Sequence, residues 1–367
     1  MVALITSAFL LAFIVGGLMV RWTGTHAKRY GHNLPQRFHA GHVSRLGGVA
    51  LVCGLVTAWL MAAWLDTRVV PFNVHLSGGL VTLWLMVFLP AVASGIGEDL
   101  THRLSVRYRL ALTAVTAALA CWLLGLQVPR LGLDGLDSAL LAAPWLGVAL
   151  AMLAVCGLPH AFNLIDGYNG LAGVVAVIAC LAIAHVSLQL EDRQLAAMVL
   201  CLAGATAGFL IWNYPRGLLF AGDGGAYLWG AVIAVASVQL VQRHAEVSPW
   251  FAMLLLIYPV WETLFSIYRK LARGSSPGVA DALHFHQLIY RRIVRGVFHD
   301  DHARQMLMRN NRTSPYLWGF TLLTVVPAVL FWRNTSVLMA FCALFVLSYV
   351  AAYLAIVRFR VPPWLRR

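Results

Sequence analysis

Charged side chains are scarce in this sequence. They account for 11% of its 367 residues, against roughly 25% in soluble domains, and this excludes a soluble protein of such length. Hydrophobic residues make up 60% of the chain. They gather in runs of about 18 residues or more, each long enough to cross a hydrocarbon core about 30 Å thick. We therefore predict an all-α polytopic membrane protein.

The sequence also lacks the features of a signal peptide, of a disulfide framework and of a multidomain chain. The first apolar run, residues 2–20, lacks both the basic segment and the small-residue cleavage site of a signal peptide, so we expect a retained helix. The six cysteines lie in or beside apolar runs without paired spacing, which is typical of buried thiols rather than disulfides or zinc ligands. No repeat or linker is visible, and we treat residues 1–367 as one integral-membrane domain.

Eleven apolar runs are predicted to span the membrane. Their approximate limits are 2–20, 46–65, 77–95, 109–127, 140–158, 171–189, 195–212, 226–242, 249–267, 315–332 and 335–357. Alternation places all but five of the 27 Lys and Arg residues on one side, which also carries the longest loop, 268–314. The exceptions are Arg68, Arg130, Arg193, Arg243 and Arg333. Because basic residues concentrate in cytoplasmic loops, we predict a periplasmic amino terminus and a cytoplasmic carboxyl terminus.

The same rule accounts for the net charge of +13 without a nucleic-acid partner. Four polar clusters also fall on the predicted cytoplasmic side. They are Glu98-Asp99 with the nearby Arg103 and Arg107; the segment from His160 to Leu171, holding Asn163, Asp166, Gly167, Asn169 and Gly170; Gly222-Asp223-Gly224-Gly225; and His284, His286 and Arg291 in the long loop.

Each cluster has an ordinary reading beside a functional one. Asp-Gly and Asn-Gly pairs are common in turns, and Asp99 or Asp223 can serve as a cap. Basic residues near a bilayer attract anionic lipids without specificity. In the functional reading, glycines admit a ligand close to the backbone, and Asp223 at a helix start suits Mg²⁺ beside phosphate. The backbone N–H groups that open the helix at Asp223 are a further candidate site for phosphate. The collection of all four clusters on one face favours a site.

In order along the chain, the clusters resemble the motifs of the polyprenyl-phosphate N-acetylhexosamine-1-phosphate transferase superfamily. This superfamily includes phospho-MurNAc-pentapeptide transferase and GlcNAc-1-phosphate transferases. The matching stretches are Pro35-Gln36-Arg37-Phe38-His39, Arg45-Leu46-Gly47-Gly48, the acid pair, Asn-x-x-Asp-Gly, Gly-Asp-Gly-Gly and the Asp-x-x-His-x-His that starts at Asp281. Departures are Glu98 for Asp, His160 for Asn, Asn169 for Asp, and histidines separated by Phe285. They indicate a divergent subfamily.

The resemblance implies transfer of a sugar 1-phosphate from a UDP-sugar to polyprenyl phosphate, releasing UMP. It implies catalytic roles for Glu98, Asp99, Asp166 and Asp223, with Asp223 holding Mg²⁺ or, alternatively, Mn²⁺. Substrate contacts are expected from Asn163, Gly167, Asn169, Gly170, Arg103, Arg107, His284, His286 and Arg291. A phosphate monoester is largely ionised at pH 7, so we expect Asp99 to position groups rather than act as a base. Glu262, within Pro259-Val260-Trp261-Glu262, is expected to be an internal polar partner.

Three other classes of membrane protein are alternatives to this transferase. A transporter would carry ionisable groups at mid-membrane depth, but the spans hold almost no charge beyond Glu262. A non-catalytic scaffold gains weight from the departures. A CDP-alcohol phosphotransferase is disfavoured because no Asp-Gly-x-x-Ala-Arg run is present. The expected partners are the two substrates and membrane lipid in a bacterial inner membrane; a homodimer stays open, as do the sugar, the prenyl length and the glycan pathway.

Overall fold

The computed structural model describes residues 1–24, 42–68, 76–274, 283–294, 296–297 and 299–358, leaving aside the side chains of 66–68. The motif Pro35 to His39 and the acid Asp281 lie outside these residues. Within the described ranges the chain forms helices and no β-strand. A single extended contact, an isolated bridge, joins Ser44 to Leu219. The all-α prediction is confirmed.

Fourteen α-helices and one π-helical turn make up the described part of the chain. In chain order they are α1 Val2–Trp22, α2 Gly47–Arg68, α3 Gly78–Thr101, α4 Val106–Leu123, α5 Asp134–Ala142, α6 Trp145–Ile165, α7 Leu171–Gln189, α8 Arg193–Asn213, α9 Gly222–Arg243, α10 Pro249–Leu255, α11 Ile257–Leu271, α12 Phe285–Leu288, the π-helical turn Ile289–Ile293, α13 His302–Leu330 and α14 Thr335–Val357.

Ten of these helices are long and apolar enough to cross a membrane. The consecutive helices α10 and α11 are bent by 71° and pass the same test as a pair. Counting that pair as one span gives eleven within the described residues, which agrees with the number read from the apolar runs. The chain is a multi-pass membrane protein by the length and composition of its helices.

Two boundaries differ from the sequence-based prediction. The span expected at 140–158 starts at Trp145 and continues to Ile165, because the short helix α5 ends before Pro144. In the region 268–314, expected to be a loop, the described residues include α12, the π-helical turn and the first part of α13. Asp301 accepts hydrogen bonds from the N–H groups of Ala303 and Arg304 and so caps α13, which begins at His302. The first turns of α13 are polar, so a search for apolar runs does not find the start of this helix.

Helix α9 is the centre of the bundle, and its span is buried along its whole length. It packs against α2, α3, α6, α7 and α8. Glycines allow the close approaches: a Cβ added to Gly95 of α3 would lie 2.6 Å from the backbone of Asp223. Helices in a membrane associate by van der Waals packing, because the lipid tails are as apolar as the side chains. Small residues at helix contacts make this packing tight. The start of α9 is therefore held against α3.

We expect Gly95→Ala to lower the thermal midpoint of the purified protein, since the added methyl meets backbone that cannot move aside. Overpacking of this kind costs about 1–3 kcal/mol. The matched control is Gly79→Ala on the same helix, where an added Cβ finds no atom of the described residues within 4 Å. Both changes replace glycine by alanine in α3, so the difference between their midpoints reports chiefly the packing at Gly95. Equal midpoints would contradict the close α3–α9 contact.

Candidate active site

The turn that precedes α9 is held by the segment in front of α2. The N–H of Phe220 donates to the carbonyl of Ser44 at 2.9 Å, and the N–H of Gly47 donates to the carbonyl of Phe220 at 2.8 Å. This pairing places the backbone of Arg45 against Gly222. Gly222 has φ +68°, and a Cβ there would collide with the Arg45 carbonyl and the Asp99 carboxylate. Only glycine fits this position.

Asp99 closes the amino-terminal end of α9 from a different helix. Its side chain projects from the last turn of α3, and the residue is 3% exposed. One carboxylate oxygen accepts the N–H of Asp223 at 3.0 Å, and the other accepts the N–H of Gly224 at 2.9 Å. A carboxylate at a helix start satisfies unpaired N–H groups and complements the helix dipole. Asp99 thus fixes the backbone that carries Asp223.

This arrangement corrects one expectation from the sequence. The N–H groups that open α9 were a candidate binding site for substrate phosphate. The N–H groups of Asp223 and Gly224 instead donate to Asp99, and that of Gly225 donates to the carbonyl of Ala221 at 3.2 Å. These donors are engaged within the protein.

The side chain of Asp223 lies where α4, α6 and α9 meet. Asn163 donates its side-chain N–H to one carboxylate oxygen at 2.7 Å, and Arg109 forms an ion pair with the other. Both members of that ion pair keep about a fifth of their side chains exposed, at 19% and 17%. Asp223 is therefore reachable from outside while its orientation is set from two neighbouring helices.

Arg109 was not singled out from the sequence, whereas Arg103 and Arg107 were. Those two residues are exposed at the junction of α3 and α4, and Arg109 is the arginine that reaches Asp223. The sequence contains a signal that points to Arg109: together with Thr113 and Thr116 it follows the i, i+4, i+7 spacing of one helix face. Both threonines are fully buried, so this polar face of α4 points into the bundle.

Asp166 follows the last residue of α6 and is half-buried. Burial, together with the negative charge of Asp223, raises the pKa of Asp166 to about 7, and Arg45 opposes that rise. The effect of Asp223 on this pKa means that the two carboxylates are close enough to interact. Asp99, Asp166 and Asp223, far apart in sequence, thus gather at one end of the bundle.

Glu98 has a local role in the same region. One of its carboxylate oxygens accepts the N–H of Leu104 at 2.8 Å. The bond closes the turn that joins α3 to α4, and His102 within that turn adopts a left-handed backbone with φ +53°. Glu98 is half-buried. The two acids therefore have different structural roles. Asp99 binds the start of α9, and Glu98 stabilises the turn that leads to Arg109.

The histidine segment packs against the loop that contains Asp166. The rings of His284 and His286 are nearly parallel, with centroids 5.4 Å apart. The ring of His286 meets the edge of Tyr168 at 5.6 Å, and its Nε2 lies 3.1 Å from where a Cβ on Gly167 would be. Gly167 therefore makes room for His286. The second and fourth clusters of the sequence are in direct contact.

His286 does not carry the positive charge expected of a phosphate-binding histidine. Burial, with a further contribution from His284, lowers its pKa to about 3, so the ring is neutral at physiological pH. Arg291, on the π-helical turn, lies near Tyr168, and its guanidinium counteracts the upward effect of burial on the pKa of that phenol. Charge in this part of the site comes from arginine rather than from His286.

Asn169 and Gly170 tie the loop to its surroundings. The N–H of Asn169 donates to the side chain of Asn310 at 2.8 Å, and the N–H of Gly170, with φ +72°, donates to the side chain of Asn213 at 2.6 Å. Within the described part of the chain, the side-chain oxygen of Asn169 is buried without a hydrogen-bond partner. Asn169 also lines an open cavity of about 340 Å³, together with Arg216 and Arg304.

Sequence comparison relates this part of the chain to a known family. The model of glycosyl transferase family 4 matches residues 81–241, which include the acids 98, 99, 166 and 223. The matched segment is similar to that family. This confirms the superfamily recognised from the motifs. The family match ends before the histidine segment, whose contact with Gly167 and Tyr168 comes from the structure alone.

Curated relatives of this chain extend the comparison. It is 26% identical over 307 residues to the decaprenyl-phosphate N-acetylglucosaminephosphotransferase of Mycolicibacterium smegmatis, covering 77% of this chain and 73% of the relative. It is 25% identical over 258 residues to the undecaprenyl-phosphate alpha-N-acetylglucosaminyl 1-phosphate transferase of Yersinia pestis, covering 69% and 67%. A probable undecaprenyl-phosphate N-acetylglucosaminyl 1-phosphate transferase of Bacillus subtilis is 25% identical over 253 residues, covering 68% and 66%.

Proposed function

We propose that this protein transfers N-acetylhexosamine 1-phosphate from a UDP-sugar to undecaprenyl phosphate and releases UMP. The observation that carries the proposal is the convergence of Asp99, Asn163, Arg109 and Asp166 on Asp223 at one end of the helix bundle. The relatives named above act on decaprenyl or undecaprenyl phosphate. The product would be a lipid-linked sugar that initiates an O-antigen, capsule, exopolysaccharide or related glycan.

The two substrates together bring about four negative charges to one place, and phosphoryl transfer is promoted chiefly by positioning and by neutralising such charge. Arg109 is the cation that the structure places beside Asp223. Arg45 lies close enough to Asp99 and Asp166 to lower the pKa of the Asp166 carboxyl. We assign these two arginines to the phosphates, and the cavity beside Asn169 to the nucleoside.

Mg²⁺ fits the donor chemistry of the site. Asp223, Asp166 and the side-chain oxygen of Asn163 are the hard oxygen ligands that this cation takes. The raised pKa of Asp166 supports the assignment, because a cation between two mutually repelling carboxylates relieves the repulsion. No group of three or more His, Cys, Asp or Glu side chains forms a ready cation cage among the described residues. Mg²⁺ with few protein ligands retains water and substrate phosphates, whose charge it neutralises when bound.

We also propose that the end of the bundle carrying Asp223 faces the cytoplasm, in a bacterial inner membrane. The support is the concentration of Lys and Arg in the connections on that side. This orientation presents the site to soluble sugar nucleotides, while the lipid substrate enters from the bilayer through apolar grooves between helices.

The test is a reaction of the purified protein with undecaprenyl phosphate and a panel of UDP-sugars. We expect UMP release and a lipid whose mass equals polyprenyl diphosphate plus one N-acetylhexosamine. EDTA should abolish the reaction, and Mg²⁺ should restore it, with Mn²⁺ as a partial substitute. Release of UDP with a monophosphate-linked lipid would contradict the proposed bond cleavage. UDP-sugar uptake into proteoliposomes without lipid product would favour a transporter, and absence of both activities would favour a scaffold.

A further inference from the structure

Glu262 is an acid that the proposed reaction leaves without a role. It lies in α11, the second half of the bent helix pair, and is fully buried. An acid within a membrane span is costly unless its oxygens are satisfied, and it marks a functional position by default. One oxygen of Glu262 contacts Nδ1 of His284 and the N–H of Phe285, both at 3.1 Å. The other accepts the hydroxyl of Tyr349 at 2.6 Å.

This geometry favours one tautomer of the His284 ring. An ionised carboxylate only accepts hydrogen bonds, so a hydrogen bond from the ring to Glu262 requires the proton on Nδ1 of His284. The same oxygen takes the N–H of Phe285, the first residue of α12. Glu262 therefore fixes both the ring and the adjoining backbone of His284.

His286 depends on His284 for its place. Its Nδ1 is buried and has no hydrogen-bond partner among the residues that the structure describes, and the contacts that hold the ring are packing contacts. On one side the ring stacks on His284, and on the other it meets Tyr168 and the glycine at 167. A continuous series of contacts thus runs from Glu262 through two histidines to the loop that carries Asp166.

We propose that Glu262 is a positioning residue for sugar-phosphate transfer, holding the stacked pair of His284 and His286 against the loop of Gly167. The proposal rests on the proposed function, because the transfer reaction is where the position of the histidines matters. Carboxylates that orient a histidine from behind commonly change activity by about 10–100-fold when they are removed. Glu262 acts through His284, and its contribution requires an acceptor rather than a charge.

The test compares Glu262→Met with Glu262→Gln. Methionine fills a similar volume without accepting a hydrogen bond, and we expect it to lower kcat for UMP release about 10–100-fold. The glutamine oxygen can still accept from His284 and Phe285, so this variant should stay within about threefold of the wild type. Glu246→Met is the matched control, because Glu246 is 59% exposed and pairs with Arg333 on the surface. The control should leave kcat unchanged.

A double-mutant cycle with His284→Ala separates positioning from general support of the fold. If Glu262 acts through His284, Glu262→Met should cause no further loss in the His284→Ala background. Losses that multiply independently, or a glutamine variant as inactive as the methionine variant, would overturn the proposal. Absence of turnover by the wild type under the same conditions would instead count against the proposed function.

One measurement needs neither a variant of Glu262 nor turnover. Nitrogen-15 labelling of the histidine side chains, with His284 assigned by its loss in His284→Ala, reports the tautomer directly. We expect the proton of His284 on Nδ1 in the wild-type protein. A proton held only on Nε2 would refute the orientation by Glu262, whatever the protein does to UDP-sugars.

Discussion

Asp223→Asn is expected to abolish UMP release, with a loss of at least about 10²–10³-fold in kcat. The substitution keeps the size of the side chain and can preserve the hydrogen bond from Asn163. It removes the negative charge that pairs with Arg109 and that would hold Mg²⁺. The measurement is UMP release at saturating substrate and Mg²⁺, normalised to the amount of protein in the membrane.

The control for this prediction is Asp134→Asn, the same change at an exposed acid in the first turn of α5. Membrane abundance should be equal for the two variants, because the backbone N–H of residue 223 still donates to Asp99. Near-normal turnover by Asp223→Asn, over a range of Mg²⁺ concentrations, would show that the metal assignment is wrong.

Asp99→Asn is expected to lower UMP release about 10²-fold and also to lower the thermal midpoint. In the wild type, each oxygen of Asp99 accepts one N–H at the start of α9. An asparagine offers one oxygen and one NH₂ group, so one of the two buried N–H donors loses its acceptor. An unsatisfied buried donor costs about 1–3 kcal/mol, and displacement of residue 223 affects the reaction as well.

The pH dependence of the same variant tests the role of Asp99. If Asp99 positions α9, the ratio of wild-type to variant activity should be constant between about pH 6 and pH 8.5. If Asp99 instead removes a proton from the lipid phosphate, the ratio should shrink as pH rises, because a phosphate monoester ionises near pH 6 without help. A ratio approaching one at the upper end of this range would contradict the positioning role.

The fold was largely predictable because the information that determines it is local. Apolar runs of spanning length identify helices independently of each other, and their number agrees with the structure when α10 and α11 are taken together. The start of α13 was missed, since its first turns are polar and its cap at Asp301 is a short-range signal within a charged region.

The sequence singles out residues of the candidate site but not the contacts between them. The glycines and acids stand out because they interrupt apolar sequence. Contacts between helices depend on rotation and register, which apolar runs do not encode. The pairing of Arg109 with Asp223, and the hydrogen bonds from α9 to Asp99, are contacts of this kind. The neutral state of His286 follows from burial that is not visible in its neighbours along the chain.

The carboxylate of Asp99 has a consequence for biogenesis. Its oxygens receive their hydrogen bonds from residues of α9, more than a hundred positions later in the chain. While ribosomes are still synthesising the intervening helices, α3 enters the bilayer with an acid whose eventual donors do not yet exist. The nascent protein must keep that group hydrated or protonated until α9 arrives and supplies the N–H donors of residues 223 and 224.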